Sequence, residues 1–352
     1  MRIVYTPHAF STQAYGGITR YFTELAAHLA RANTACDVTI LALAHLNAHL
    51  RDSPADGARV IGAYVPHIPH TGGIRRLLND WLARRYLAGR KADIVHETYY
   101  SRARLAPAQS KVILTVHDMT HERYPQSFRR SDKTAEAKAE AVQHADHIIC
   151  VSEHTRTDLI ERLGVDPART SVVHHGCALP AWPHTRPLVA QPYLLYVGDR
   201  GGYKNFENVV RAMRASQHLR DVQLVCFGGE PFRGERATHF TGGDDILVSL
   251  YRNAAALVYP SLSEGFGMPL LEAMSLDCPV VCSNAGSLPE IAGDAAELFD
   301  PSDPSDIAAA IERVLFSTSR AAALRSLGRE RVKRFTWERC AAATYEVYRS
   351  LL

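Results

Sequence analysis

Short β-branched runs alternate along this chain with stretches whose apolar residues recur every three or four positions. Residues 2–6 (RIVYT) predict a strand, and 18–31 (ITRYFTELAAHLAR) predict an amphipathic helix. Further strands are predicted at 37–42, 93–96, 112–116 and 147–151, with helical patterns between them. Such alternation belongs to a parallel α/β sheet covered by helices on both faces. Between 176 and 192 the period lapses and four prolines enter, which predicts a linker. The alternation then restarts. Strands or apolar runs stand at 193–197, 222–227, 255–259 and 278–282, and helices at 205–215 and 304–316. A last helix at 337–352 carries an apolar stripe of Ala341, Tyr345 and Tyr348. The expected architecture is two doubly wound domains, 1–178 and 193–334, joined by a linker at 179–192 and followed by a terminal segment, 335–352. The halves share a style of folding without a visible repeat. Doubly wound sheets bind ligands at the carboxyl ends of their strands, so a cleft between the domains is the expected place for a site.

Composition narrows the class. With 352 residues, 46% hydrophobic and 22% charged, the chain is an ordinary globular protein, which excludes a disordered or fibrous one. No apolar run approaches the roughly 18 residues of a membrane span. The start, MRIVYTPHAF, lacks the charged lead and long apolar centre of a signal peptide, so a cytoplasmic location is expected. Seven cysteines include no C-x-x-C pair and read as reduced, buried small hydrophobes. Net charge is +3, but residues 1–180 carry +5 and 14 of the 17 histidines, while the remainder carries −2. Two halves of different chemistry suggest different tasks.

The segment 259–274, YPSLSEGFGMPLLEAM, is the most informative. An apolar strand ends at Pro260, and a turn with Glu264, Gly265, Phe266 and Gly267 leads into a helix from Met268 that contains Glu272. The glycines permit close backbone approach, and free amides at a helix start attract anions. Glu264 and Glu272 suit hydrogen bonds from sugar and ribose hydroxyls rather than phosphate. Two surface glutamates on an ordinary turn are the plainer reading, against which the adjoining Gly-x-Gly-x-Pro weighs. At 196–206, YVGDRGGYKNF, Arg200 and Lys204 flank a glycine turn at a strand end, which suits a diphosphate or, taken alone, a solvated basic loop. G-x-x-x-x-G-K-[ST] and G-x-G-x-x-G are both absent, against kinase-like and dinucleotide readings. Tyr15, Gly16 and Gly17 open the first helix, with amides suited to a phosphate or an acceptor hydroxyl. The run LTVHDMTHERYP places His117 and Asp118 at a strand end, followed by His121 and Tyr124. His117 is either a polar contact to a reacting sugar or a buried histidine fixed by Asp118. His174-His175 and His67/His70 form no metal-ligand spacing, and no Asp-x-Asp ends a strand.

Together these residues resemble the retaining GT-B glycosyltransferases of family 4 (glycosyl transferases group 1). EGFGMPLLE matches the family's E-x7-E signature, VGDRGGYKN its Arg/Lys diphosphate site, YGGITRY its N-terminal glycine loop and TVHD its histidine. VSEHTRTDL and VVHHGC resemble the segments leading to its hinge. Two departures stand out: Asp199 intervenes before Arg200, and His175-Gly176 replaces the usual Asn-Gly. The resemblance implies two Rossmann-like doubly wound domains facing across a cleft, the first for the acceptor, the second for a nucleotide-sugar donor, with the terminal helix crossing back to the first. It implies that Arg200 and Lys204 hold the donor diphosphate, helped by Gly17 and the helix start after Gly265. Glu272 would take the ribose, Glu264 the transferred sugar beside the amides of Phe266, Gly267 and Met268, and His117 the region of the anomeric carbon. Tyr15, Gly16, Asp118, His121 and Tyr124 would face the acceptor. It further implies retention by front-face displacement, no metal and no other cofactor.

A hexose donor is expected, GDP-mannose or a related GDP-sugar first and a UDP-hexose second, passed to a saccharide or lipid-linked saccharide in surface polysaccharide assembly. A GT-B epimerase or hydrolase and a non-catalytic nucleotide-sugar binder are the competing readings. No nucleic-acid partner is expected. Residues 74–91 combine an apolar stripe (Ile74, Leu77, Leu78, Trp81, Leu82) with six basic residues. They read either as a core-packed helix with solvated arginines or as a peripheral contact with the inner face of the cell membrane.

Overall fold

The computed structural model describes residues 1–32, 36–52, 55–69, 71–177, 179, 186–190, 192–231 and 237–352, the side chains of His49 and Asp52 excepted. Of the linker expected at 179–192, half lies outside the described residues, as does His70. The chain divides into two compact units. The first holds Met1–Glu122, Arg130–Gly176 and Trp337–Leu352, and the second holds Arg123–Arg129 and Cys177–Thr336.

In the first unit the described strands are Arg2–Tyr5 (β1), Asp37–His45 (β2), Arg59–Tyr64 (β3), Ile94–Glu97 (β4), Lys111–Val116 (β5), His147–Cys150 (β6) and Thr170–Val172 (β7). They form one sheet in the order β3-β2-β1-β4-β5-β6-β7, and every pairing is parallel. In the second unit the described strands are Tyr193–Val197 (β8), Gln223–Phe227 (β9), Ala237–Phe240 (β10), Ala256–Tyr259 (β11), Val280–Ser283 (β12) and Ala296–Phe299 (β13). Their order, β10-β9-β8-β11-β12-β13, is again wholly parallel. Both are Rossmann-like α/β domains, with winding reversed between β1 and β4 in one and between β8 and β11 in the other. Such switch points open a crevice beyond the carboxyl ends of the strands.

The inner strands are the ones the sequence pattern marks. β4, β6, β11 and β12 are buried at every position, and they read as mainly apolar runs. The strands it leaves out, β3, β7, β10 and β13, are the four edges of the two sheets. They are short or half-exposed, and β3 contains Gly62.

The terminal helix Trp337–Ser350 belongs to the first unit and packs on the helix Gly17–Ala32. It buries Trp337, Cys340, Ala341, Thr344, Val347 and Tyr348, whereas Tyr345 of the expected stripe is half-buried. Tyr348 is tied to the sheet by a 2.5 Å hydrogen bond between its hydroxyl and Nδ1 of buried His96. Nε2 of His96 lies 2.8 Å from Thr115 Oγ1 on β5. All seven cysteines are free thiols, and six are buried.

Gly176 lies where this helix begins. A Cβ there would stand 2.4 Å from the Trp337 backbone nitrogen and 2.6 Å from its Cα. Neither atom moves without shifting the helix. Gly176→Ala should therefore cost the first unit about 1–3 kcal/mol, as overpacking does. Urea titration should show a lower midpoint with an unchanged slope; an unchanged midpoint would mean the helix start yields freely.

Candidate functional site

In the second unit the loops after β8 and β11 are joined at the switch point. Beyond Val197 the chain turns through Gly198 and Gly202, both at positive φ, into a short 3-10 turn, Gly202–Lys204. Asn205 follows in the left-handed region at φ 56°. Its side-chain amide donates to the carbonyls of Pro260 (3.1 Å) and Pro301 (2.8 Å), which fixes that conformation. The Leu262 N–H donates to the Tyr203 carbonyl at 2.8 Å.

This frame puts Lys204 against Glu264. Nζ donates to Glu264 Oε1 at 2.7 Å, and the Tyr259 hydroxyl donates to the same oxygen at 2.9 Å. Burial opposes the Lys204 charge, but Glu264 together with Tyr259 and Tyr203 outweighs it, and the ammonium is held well above its ordinary range. Burial, then Glu264, likewise keeps Tyr259 protonated. The Glu264 carbonyl accepts from the Ser287 hydroxyl at 2.9 Å and from its N–H at 3.3 Å. At Gly286, φ is 64° and a Cβ would stand 2.9 Å from the Glu264 nitrogen, so glycine is required there.

Arg200 takes a different direction. Nη1 donates to the Gly228 carbonyl at 2.9 Å, and the guanidinium lies 5.9 Å from the centre of the Phe206 ring. Its Nη2 is buried and has no hydrogen-bond partner among the described residues. A buried guanidinium nitrogen left in this way calls for an acceptor.

The two glutamates of the signature separate. Glu272 sits within the helix Met268–Ser275, buried, and accepts from the Tyr251 hydroxyl at 3.0 Å. Met268 opens that helix after Gly267, at φ 94°, where a Cβ would press on Leu288 at 2.6 Å. Phe266 is buried edge-on against Phe335, with ring centres 5.8 Å apart. Gly265 lies in the turn between Glu264 and Phe266.

In the first unit His117 follows β5. Its ring stacks on His175 (5.8 Å, 18°) and meets the edge of Tyr21 at 5.5 Å. Nε2 is buried without a hydrogen-bond partner among the described residues. Burial pushes His117 down to about 4, and Asp118 only partly offsets that. Asp118 instead accepts from the Thr120 N–H at 2.9 Å. Burial works against its charge too, but the Lys138 ammonium, the Thr120 hydrogen bonds and His121 together hold the carboxyl below its usual range. Lys138, fully buried, donates to the Asp118 carbonyl and to Glu122, each at 2.7 Å.

The expected acceptor residues are dispersed. Gly17 opens the helix Gly17–Ala32, with Gly16 and Tyr15 just before it and Tyr15 70% exposed. His121 Nε2 lies 3.7 Å from Asp132, and burial lowers its affinity for a proton. Tyr124 belongs to the second unit, where its hydroxyl donates to the Leu262 carbonyl at 3.3 Å. Tyr259, Tyr251, Ser287, Tyr21 and Lys138 carry no motif of their own. Only Tyr259, closing the strand before the glutamate turn, left a readable signal. Among the described residues, no group of three or more His, Cys, Asp or Glu side chains is placed to hold a metal ion.

The neutral histidines make stability depend on pH. Burial lowers His117 to about 4 and His96 to about 3, and holds His175 well below its ordinary value. Unfolded, each takes a proton near pH 6.5. Their neutral packing is therefore fully present above about pH 6.5 and is lost as pH falls toward 4. His117 alone contributes on the order of 3 kcal/mol to that loss. Urea midpoints across pH 4–7 should fall on the acid side, with a shallower slope for His117→Phe; an identical slope would remove His117 from the account.

Comparison with known proteins then places the chain. Residues 15–179 match the model for Glycosyltransferase Family 4, and residues 185–331 match that for Glycosyl transferases group 1. The O-antigen chain mannosyltransferase B of Escherichia coli is 29% identical over 95% of this chain and 96% of its own length. Sucrose-phosphate synthase from Thermosynechococcus elongatus superposes with a TM-score of 0.78 at 22% identity, covering 99% and 98% of the two chains. The Anabaena protein Alr3699/HepE, solved with UDP and glucose, gives 0.75 at 17% identity over 99% and 100%. With a family 4 model on its first half, a group 1 model on its second and the GT-B fold throughout, the chain belongs to the family 4, group 1 glycosyltransferases.

Proposed function

We propose that this glycosyltransferase is a retaining hexosyltransferase that moves mannose from GDP-mannose to a saccharide or lipid-linked saccharide acceptor in surface polysaccharide assembly, in the cytoplasm. The observation that carries the donor assignment is the Lys204–Glu264 pair, 2.7 Å apart beyond the carboxyl ends of β8 and β11. Mannose is favoured by the E. coli relative, an O-antigen chain mannosyltransferase by name. A UDP-hexose is the second reading, on the UDP and glucose held by the Anabaena neighbour.

In this reading Arg200, through its unpartnered Nη2, and Lys204 take the donor diphosphate, with Gly17 and the amides after Gly265 assisting. Glu264, oriented by Lys204 and Tyr259, accepts hydroxyls of the transferred sugar, and Glu272 accepts those of the ribose. His117 is uncharged at neutral pH and offers Nε2 to the sugar near its anomeric carbon. The bond from that carbon to the diphosphate oxygen breaks, and the acceptor oxygen bonds on the same face. The acceptor's proton passes to the departing phosphate oxygen. The protein's contribution is electrostatic, stabilising the charge that grows on the diphosphate. No metal takes part.

Glu264→Gln and Lys204→Met should each lower kcat/KM on the order of 100-fold or more while leaving the fold intact. The wild type should yield a product of unchanged anomeric configuration by NMR. Full activity of either variant, or an inverted product, would overturn the mechanism. The same assay with donor alone separates the competing chemistries, since an epimerase or hydrolase turns over without acceptor. Exhaustive EDTA treatment should leave the rate unchanged; loss of activity restored by a divalent cation would refute metal independence.

A further inference from the structure

The helix Gly72–Ala88 is packed inside out. Its buried row is Arg75, Asn79, Ala83 and Leu87, spaced four apart, and two of these are polar. Asn79 is inside for a reason. β2 shifts register between Ala42 and Ala44, and the Asn79 side chain accepts from the Ala44 N–H at 2.9 Å and donates to its carbonyl at 3.2 Å. With that row turned inward, the opposite side must face out. It carries Ile74, Leu77, Leu78 and Trp81, which are 70%, 71%, 46% and 59% exposed. The core-packed reading of this segment is thereby overturned, because the stripe it would bury is the exposed one.

At about 100° per residue, Ile74, Leu77, Leu78, Trp81, Arg84 and Arg85 share one arc of roughly 120°. No acidic residue lies on it. Asp80, the one acid of this helix, is turned aside to His8, with Nε2 and Oδ1 2.9 Å apart. Arg76 is held by the Tyr100 carbonyl at 3.2 Å. The positive character continues past the helix end. There a cavity of about 350 Å³ is lined by Arg2, Arg59, Arg90 and Lys91 against Asp37, with the Arg90 guanidinium 4.4 Å above the Tyr86 ring.

We propose that the outward face of Gly72–Ala88 docks on an anionic lipid bilayer. Ile74, Leu77, Leu78 and Trp81 enter the interfacial layer, and Arg84 and Arg85 meet the lipid phosphates. An apolar face edged by arginines is the arrangement that such surfaces attract. The apolar residues span only about 10 Å along the axis at 1.5 Å per residue, so the helix lies on the bilayer and does not cross it. No described helix is long and apolar enough to cross. A second copy of the chain is disfavoured as occupant, since this face carries no acidic residue to pair with the Arg84 and Arg85 of its partner. The inference uses none of the donor-site chemistry and can fail without affecting it.

Flotation of the full chain with vesicles tests this, using phosphatidylcholine alone or with one-third phosphatidylglycerol. Wild type should float with the anionic vesicles at least tenfold more than with neutral ones. Leu77→Asp/Trp81→Asp and Arg84→Glu/Arg85→Glu should each abolish that excess. Both pairs are exposed, so thermal midpoint and transfer to a soluble acceptor should stay at wild-type values. Equal flotation on both vesicles, or unchanged flotation of either variant, would overturn the proposal. So would a wild-type dimer, without lipid, that Leu77→Asp/Trp81→Asp converts to monomer.

Discussion

The second unit is organised around one ion pair, Lys204 with Glu264, drawn together from strands that are not neighbours in sequence. A half-buried charge pair tolerates little misplacement, because either partner left alone is a desolvated charge without its counter-charge. Most of the unusual backbone nearby serves to hold it. Asn205 is kept left-handed by two carbonyls, Tyr203 and Leu262 share a backbone hydrogen bond, and Gly286 leaves room for the Glu264 nitrogen. Tyr259 adds a second hydrogen bond to the same carboxylate oxygen. The doubly wound strand order brings the two loops to the same crevice.

The first unit uses a different kind of chemistry, after β5, one strand past its own switch point. Its functional candidate is a neutral imidazole, kept so by burial among His175, Tyr21 and Phe22. The terminal helix contributes to that environment through Tyr348, His96 and Thr115, a buried chain ending on β5 two residues before His117. The +5 and −2 of the two halves record this difference only loosely. In the more acidic half, the candidate phosphate ligands are two local cations, so net charge is the wrong scale on which to look for them.

Much of the fold was legible because inner parallel strands are buried on both faces and so are mainly apolar. The edge strands β3, β7, β10 and β13 were not, since an edge is half wet and carries no such run. The glutamate turn and the glycine-lysine turn were legible as motifs. The partition of Glu264 to Lys204 and of Glu272 to Tyr251 was not, for it depends on which residues a switch point sets side by side. Tyr124 shows the limit most plainly: near His117 and His121 in sequence, it packs with the second unit.

Composition and periodicity thus determined the fold class, and the resemblance carried by short motifs pointed to the family and to the charged candidates for its site. These are properties of local chemistry, and local chemistry is written in order along the chain. Tertiary structure decided partners and exposure: which oxygen Lys204 meets, why Asp118 accepts from Thr120 while His117 Nε2 stays unpartnered among the described residues, and which side of Gly72–Ala88 faces outward. The last is the clearest case. Helical periodicity defines a stripe but not its direction, and here the need of the Ala44 backbone for Asn79 turned the polar row inward.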